Sequence, residues 1–214
     1  MKKGCILCLL ISVISLPLIA QNIIYSNLKE LLTQHGDTTA VLRVEKRSRN
    51  QIVLTGGADY RITAGDDESM CRRLKKRCFA VRTSEGDLFI NCRKLRYKKM
   101  RFGAWYAPAV QLGKNIYFCA MPLGSVIGGT FAEEDDVKLG GNVGDALAAS
   151  SLVTKRVCYE LNGETGKVDF LGKDRMLQLL KNYPELKQAY LKDDSQEAKH
   201  TFKYLLELQN KQKK

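Results

Sequence analysis

The chain has 214 residues, 44% of them hydrophobic, with 35 Lys and Arg against 23 Asp and Glu. That apolar share supports a packed core and excludes a disordered chain, and the formal net charge of +12 points toward anionic partners. Seven cysteines are too few for a disulfide scaffold, and beyond residue 20 the sequence shows neither a CxxC pair nor paired histidines at zinc-ligand spacing.

Residues 1–20 have the pattern of a cleaved signal peptide. Lys2 and Lys3 precede the uncharged run ILCLLISVISLPLI, and Ala20 offers a small residue before Gln21. The run is short for a transmembrane helix. Residues 21–214 then form one expected domain, exported to the periplasm or the cell exterior. Five cysteines remain there, so at least one thiol stays free or pairs with another chain.

Asn27 and Glu30 make a capping box, which predicts a short helix to Gln34, stopped by Gly36. The alternation in TAVLRVEKRS predicts a half-buried strand. A turn at Arg49-Asn50 leads to a second strand, Gln51 to Thr55, and a third follows near Asp59 to Thr63. Asp66, Asp67 and Ser69 cap a basic helix that runs through Arg77. CFAVRT and LFINCRKLRY read as a hairpin around SEGD, and WYAPAVQL and NIYFCAM as another around Gly113-Lys114. Pro108 places the first strand of that second pair at a sheet edge or a bulge.

A Gly/Ala-rich segment spans about 124–152 and carries the acidic cluster EEDD. KRVCYEL and KVDFL then flank NGETG, a strong hairpin signal. The chain is expected to be helical over about 174–211, with Pro184 in the first turn of the middle helix. In the last helix Ala198, Phe202, Leu205 and Leu206 form an apolar stripe. Sequential hairpins followed by helices predict an α+β fold with an antiparallel sheet.

The charge is concentrated. Residues 71–101 hold twelve Lys and Arg against Glu85 and Asp87, a local balance of +10. A concentrated excess makes a potential that attracts anions. Along one strand, Phe89 and Ile90 read as core, and Arg93, Lys94, Arg96, Lys98, Lys99 and Arg101 as a basic rim, with Trp105 and Tyr106 beside it. An exposed rim with no ligand is the plain alternative. The expected partners are an acidic envelope glycan, an anionic lipid headgroup or an acidic protein, and export disfavours nucleic acid.

Two rival functions remain open. One is an envelope hydrolase with a carboxylate or Cys/His site, although neither His35 nor His200 lies in a catalytic motif. The other is a membrane-associated protein using 115–153, whose uncharged passage is broken by Pro122, Gly124, Gly128 and Gly129. The sequence shows no catalytic residue, cofactor motif or metal-ligand set, and no transmembrane helix is expected after residue 20. Among the thiols, Cys78 and Cys92 could face each other across the SEGD hairpin if its loop has three residues. Cys119 and Cys158 could be neighbours between hairpins.

The phrases TGGADYRITAG, NCRKLRYKKMRFGAWYAPA, IYFCAMPLGS, KRVCYELNGETGKV and NYPELKQAY resemble an uncharacterised family of exported proteins from Bacteroidetes-type bacteria. The Ala20-Gln21 junction is similar to the signal-peptide ends of that family. The resemblance implies a secreted or envelope location and no known activity. It differs at GGTFAEEDDVKLGGNVGDALAAS, where related sequences have a more regular glycine zipper and this chain has an acidic insertion.

Overall fold

The computed structural model describes residues 21–39, 41–55, 57–97, 100–121, 156–193 and 197–213. These residues fold as α+β. Ten strands form one antiparallel sheet, whose main path runs β12-β11-β10-β9-β6-β5-β1-β2. The strands are β1 (Asn22–Tyr25), β2 (Asp37–Thr39), β5 (Ala80–Arg82), β6 (Leu88–Asn91), β9 (Tyr106–Leu112), β10 (Asn115–Ala120), β11 (Val157–Leu161) and β12 (Val168–Phe170). A β3 (Arg43–Lys46) and β4 (Tyr60–Thr63) hairpin joins the sheet where Tyr60 pairs with Tyr106. The small hairpin of β7 (Arg96–Tyr97) and β8 (Met100–Arg101) stands apart.

Both sheet faces are covered. On one face Ile90, Ala109, Phe118, Tyr159 and Leu161 pack with Leu31 of helix α1 (Leu28–Thr33) and with Leu95 and Phe102. The other face is shared. Ile24, Val81, Phe89 and Tyr106 pack beneath Leu74 of helix α3 (Glu68–Lys76). Val110 and Tyr117 pack beneath helices α4 (Lys173–Leu179), α5 (Pro184–Lys192) and α6 (Ala198–Gln212). Each large side chain fully buried this way contributes roughly 1.5–3 kcal/mol.

The hairpins around SEGD, Gly113-Lys114 and NGETG form with the expected partners. The caps of α1 and α3 form too: Asn27 accepts from the Glu30 N–H at 2.9 Å, and Asp67 from the Met70 N–H at 2.9 Å. Helix α1 ends one residue early, because Gln34 takes the left-handed cap at φ 56°. Gly36 instead permits close packing, since a Cβ there would lie 2.6 Å from the Ile24 carbonyl oxygen.

Other expectations are corrected. Gln51 to Thr55 is not a strand but lies within helix α2 (Arg49–Thr55). Its start is a reciprocal cap: the Gln51 N–H donates to Ser48 Oγ at 3.3 Å, and the Ser48 N–H to Gln51 Oε1 at 2.8 Å. LFINCRKLRY is not one strand, because β6 stops at Asn91 and a 3-10 turn follows over Cys92–Lys94. Strand β9 is central rather than an edge, lying between β6 and β10. The sheet accommodates Pro108 by ending the β9–β10 ladder beside it, at Ala109 paired with Phe118. In α6, Leu206 is exposed, and Ala198, Thr201, Tyr204, Leu205 and Leu208 form the buried face.

Candidate anion-binding site

The site lies where β6 leaves the sheet. Asn91 ends the strand and is buried. Its amide donates to the Leu74 carbonyl at 3.1 Å and to the Cys78 carbonyl at 2.9 Å, and its side-chain oxygen accepts from the Arg93 N–H at 3.1 Å. This one side chain ties the C-terminal end of α3 to the 3-10 turn. Within the turn, Cys92 and Leu95 are three apart and both point into the core. Arg93, Lys94 and Arg96 are thereby left exposed.

The β7–β8 hairpin closes the site. Arg96 pairs directly with Arg101 across it, and Tyr97 packs against Phe170 of β12 with ring centroids 4.9 Å apart. From the other side comes α3, whose layout suits its dipole: Asp67 and Glu68 at the start, Arg73, Lys75 and Lys76 in the last turn. Lys76, Arg93, Lys94, Arg96 and Arg101 together line a concavity of about 230 Å³, with no carboxylate in its lining among the described residues. Among the described residues none of these five makes an ion pair. Arg73, by contrast, is paired with Asp37.

The predicted site residues therefore separate. Arg93, Lys94, Arg96 and Arg101 come together. Lys98 and Lys99 lie outside the described residues. Trp105 is half-buried and lines an adjoining concavity with Arg61, Arg72, Lys75 and Lys76. Tyr106 does not join the rim: it is buried, and its hydroxyl donates to the Leu74 carbonyl at 2.8 Å. Burial and the adjacent Cys78 raise its pKa far above the ordinary value. The sequence reading missed Lys76 in the cleft, Arg61 in the adjoining concavity, and Asn91 as the link between α3 and the 3-10 turn. The spacing of Arg72, Lys75 and Lys76 on one helical face was the available signal for α3.

The Cys78–Cys92 bond that a three-residue loop would allow does not form: both thiols are free and buried. The hairpin has the register that sets them opposite, with Thr83 and Asp87 closing a three-residue loop through a 2.8 Å bond. They nonetheless belong to opposite sheet faces: Cys78 packs with Ile24 and Leu74, and Cys92 with Ile90 and Leu95. Desolvation pushes their pKa values up to about 11 and about 12. The disulfide joins Cys119 to Cys158, which are direct partners across β10 and β11.

The rival sites receive little from the geometry. Cys71 lines the Trp105 concavity, but neither histidine does. His200 sits elsewhere, with Nδ1 2.9 Å from Asp193. Glu160 is bound from four directions: Arg175 Nε and Nη2 donate at 2.8 Å each, Asn115 at 2.7 Å and Tyr117 at 2.9 Å. Those bonds, Arg175 foremost, hold its carboxyl below the usual range, and they fix α4 to the sheet. Among the described residues no group of three His, Cys, Asp or Glu side chains could hold a metal ion. In the segment considered for membrane association, Asn115–Ala120 is the buried strand β10, and 122–153 lie outside the described residues. No described helix is long and apolar enough to cross a membrane.

Fold and site thus define an α+β protein with a cluster of cations at the rim of its sheet that make no ion pair among the described residues. The chain belongs to the family of unknown function DUF6563, whose model matches residues 23–212. No curated protein and no solved structure matches it.

Proposed function

We propose that this protein is an exported, non-enzymatic binding protein that holds an anionic partner in the cleft between α3 and the β7–β8 hairpin. One observation carries the reading: Arg96 stands directly opposite Arg101, with Lys76, Arg93 and Lys94 around them and no carboxylate in the lining among the described residues. Like charges directly opposite across a pair of strands destabilise it. An anion between them converts that repulsion into attraction. The concave shape also lowers local solvent screening, which strengthens each contact.

Export is supported by the signal-peptide pattern of residues 1–20, which lie outside the described residues, and by the Cys119–Cys158 disulfide. Disulfides persist in oxidising compartments. The binding reading is favoured over a hydrolase because the cleft offers permanent positive charge, and its described lining holds neither a nucleophile–base pair nor a carboxylate pair.

The test is retention on immobilised anionic surfaces as salt rises. Binding should weaken steeply, because salt screens exposed charges within about 8–10 Å at physiological strength. Reversing Arg96, Lys98, Lys99 and Arg101 to Glu should abolish retention while circular dichroism stays unchanged. Undiminished retention by that variant would overturn the proposal.

A further inference from the structure

We infer that the partner is a chain-like acidic polysaccharide, lying along a basic track with one sugar ring against Trp105. This rests on the anion-binding reading above and extends it. The cleft is one part of a longer path. Lys76 lines both the cleft and the adjoining concavity of about 290 Å³ that contains Arg61, Lys75 and Trp105. On the other side Arg93 and Arg101 continue into a third concavity of about 280 Å³ with Gly103 and Ala104. A single compact anion would fill one of these. A polymer with a carboxylate or sulfate on successive units would engage the shared cations along the whole path.

Trp105 supplies the second argument. It has φ 78°, in the left-handed region. A bulky residue is held there only when its surroundings impose it. The surroundings do so. The Ala58 N–H donates to the Ala104 carbonyl at 2.8 Å, and a Cβ on Gly57 would lie 3.0 Å from the indole. The result is an aromatic surface among cations. Arg61 and Lys75 lie over the ring, 5.6 Å and 5.5 Å from its centroid, as exposed side chains that a stacked sugar would displace, and buried Arg47 lies over it at 5.4 Å. A sugar ring has an apolar C–H face that packs on an aromatic ring, and its acidic substituent would reach Arg61 or Lys75.

Other polyanions fit less well. A membrane-binding surface couples basic side chains to exposed apolar ones that insert. Among the described residues, the exposed large hydrophobic ones, Val41, Val44, Phe170, Leu191 and Leu206, line none of these concavities. Single-stranded nucleic acid is read by stacking successive bases on several aromatic side chains, and among the described residues Trp105 is the one aromatic lining this track.

Trp105 is the only tryptophan, so its fluorescence reports on the groove. The full chain is titrated with polygalacturonate, inorganic sulfate, phosphatidylglycerol vesicles and oligothymidylate at matched charge. Polygalacturonate should change the emission saturably and bind at least about tenfold tighter per charge than sulfate, and both effects should vanish near about 0.5 M salt. Affinity should rise with oligogalacturonide length, and Arg61→Glu with Lys75→Glu should lower it about tenfold or more. Both side chains are exposed, so the variant should keep its circular dichroism. Tighter binding of vesicles or oligothymidylate would overturn the inference. So would polygalacturonate binding that leaves the emission and the Arg61/Lys75 variant unaffected. In that last case the cleft of Arg93, Arg96 and Arg101 still binds anions, and only the track fails. Loss of response to every anion would remove both readings.

Discussion

Arg96 and Arg101 face each other across the β7–β8 hairpin, two guanidinium groups on directly opposed strand positions. Like charges so placed oppose folding, and on the proposed reading they favour anion binding. Replacing Arg101 with Gln should therefore stabilise the chain, by roughly 0.2–1 kcal/mol as for other like-charge cross-strand pairs. The same change should weaken anion binding. A multivalent anion should raise the melting temperature of the unaltered chain more than that of the variant, because only ligand bound to the folded state stabilises it. Thermal melts with and without the anion check both signs.

The site is only as well placed as Asn91 makes it. Leu74 O accepts from Asn91 and from Tyr106, so either partner alone partly satisfies it. Tyr106→Phe should cost about 0.5–1.5 kcal/mol, the net value of one buried hydrogen bond. Asn91→Leu strips one donor from the Leu74 carbonyl, removes the side-chain partner of Cys78 O and leaves the Arg93 N–H without its acceptor. It should cost more, roughly 2–3 kcal/mol, because buried polar groups lose their partners. Urea unfolding gives the stabilities. Anion affinity should fall for Asn91→Leu and stay nearly unchanged for Tyr106→Phe.

Much of the fold was legible because its signals are local. Asn27, Asp67 and Asn162 carry cap or turn chemistry that works within a few residues, and all three behave accordingly. The failures needed non-local information. Gln51 was assigned to a strand because Ile52, Val53 and Leu54 are strand-like, although Ser48 and Gln51 already held a reciprocal cap. Cys78 and Cys92 had the register for a bond, and only the packing shows that they serve opposite faces. The basic rim could be found from charge density. Its second wall could not, because Lys76 joins Arg93 only through Asn91, fifteen residues along the chain.

The Glu160–Arg175 pair makes a pH prediction. The folded-state carboxyl lies below its ordinary value, so its contribution is complete above the unfolded pKa of about 4.3 and is lost as pH falls toward the folded value. Glu160→Gln should remove roughly 2 kcal/mol at neutral pH, on the scale of hydrogen bonds to a charged group. The difference between the two proteins should shrink as the pH drops below about 4. Denaturant melts from pH 7 to pH 3 would show the curves converging, and parallel curves would contradict the assignment.

Cys119 and Cys158 close a loop with a sequence separation of 39. Reduction should cost about 2–4 kcal/mol, the usual range for a loop of this size. Peptide mapping of unreduced protein should recover the Cys119–Cys158 linkage. Alkylation after unfolding without reductant should label Cys71, Cys78 and Cys92. A linkage between Cys78 and Cys92 would contradict the separation of the two cores.

The central claim is that the cleft between α3 and the β7–β8 hairpin is where anions bind. The most direct measurement maps side-chain chemical-shift changes by NMR as a polyanion is added. The account predicts the largest shifts at Lys76, Arg93, Arg96 and Arg101, extending to the Trp105 indole, with the C-terminal Lys211 and Lys213 unmoved. Shifts confined to those C-terminal lysines, with the cleft silent, would contradict it.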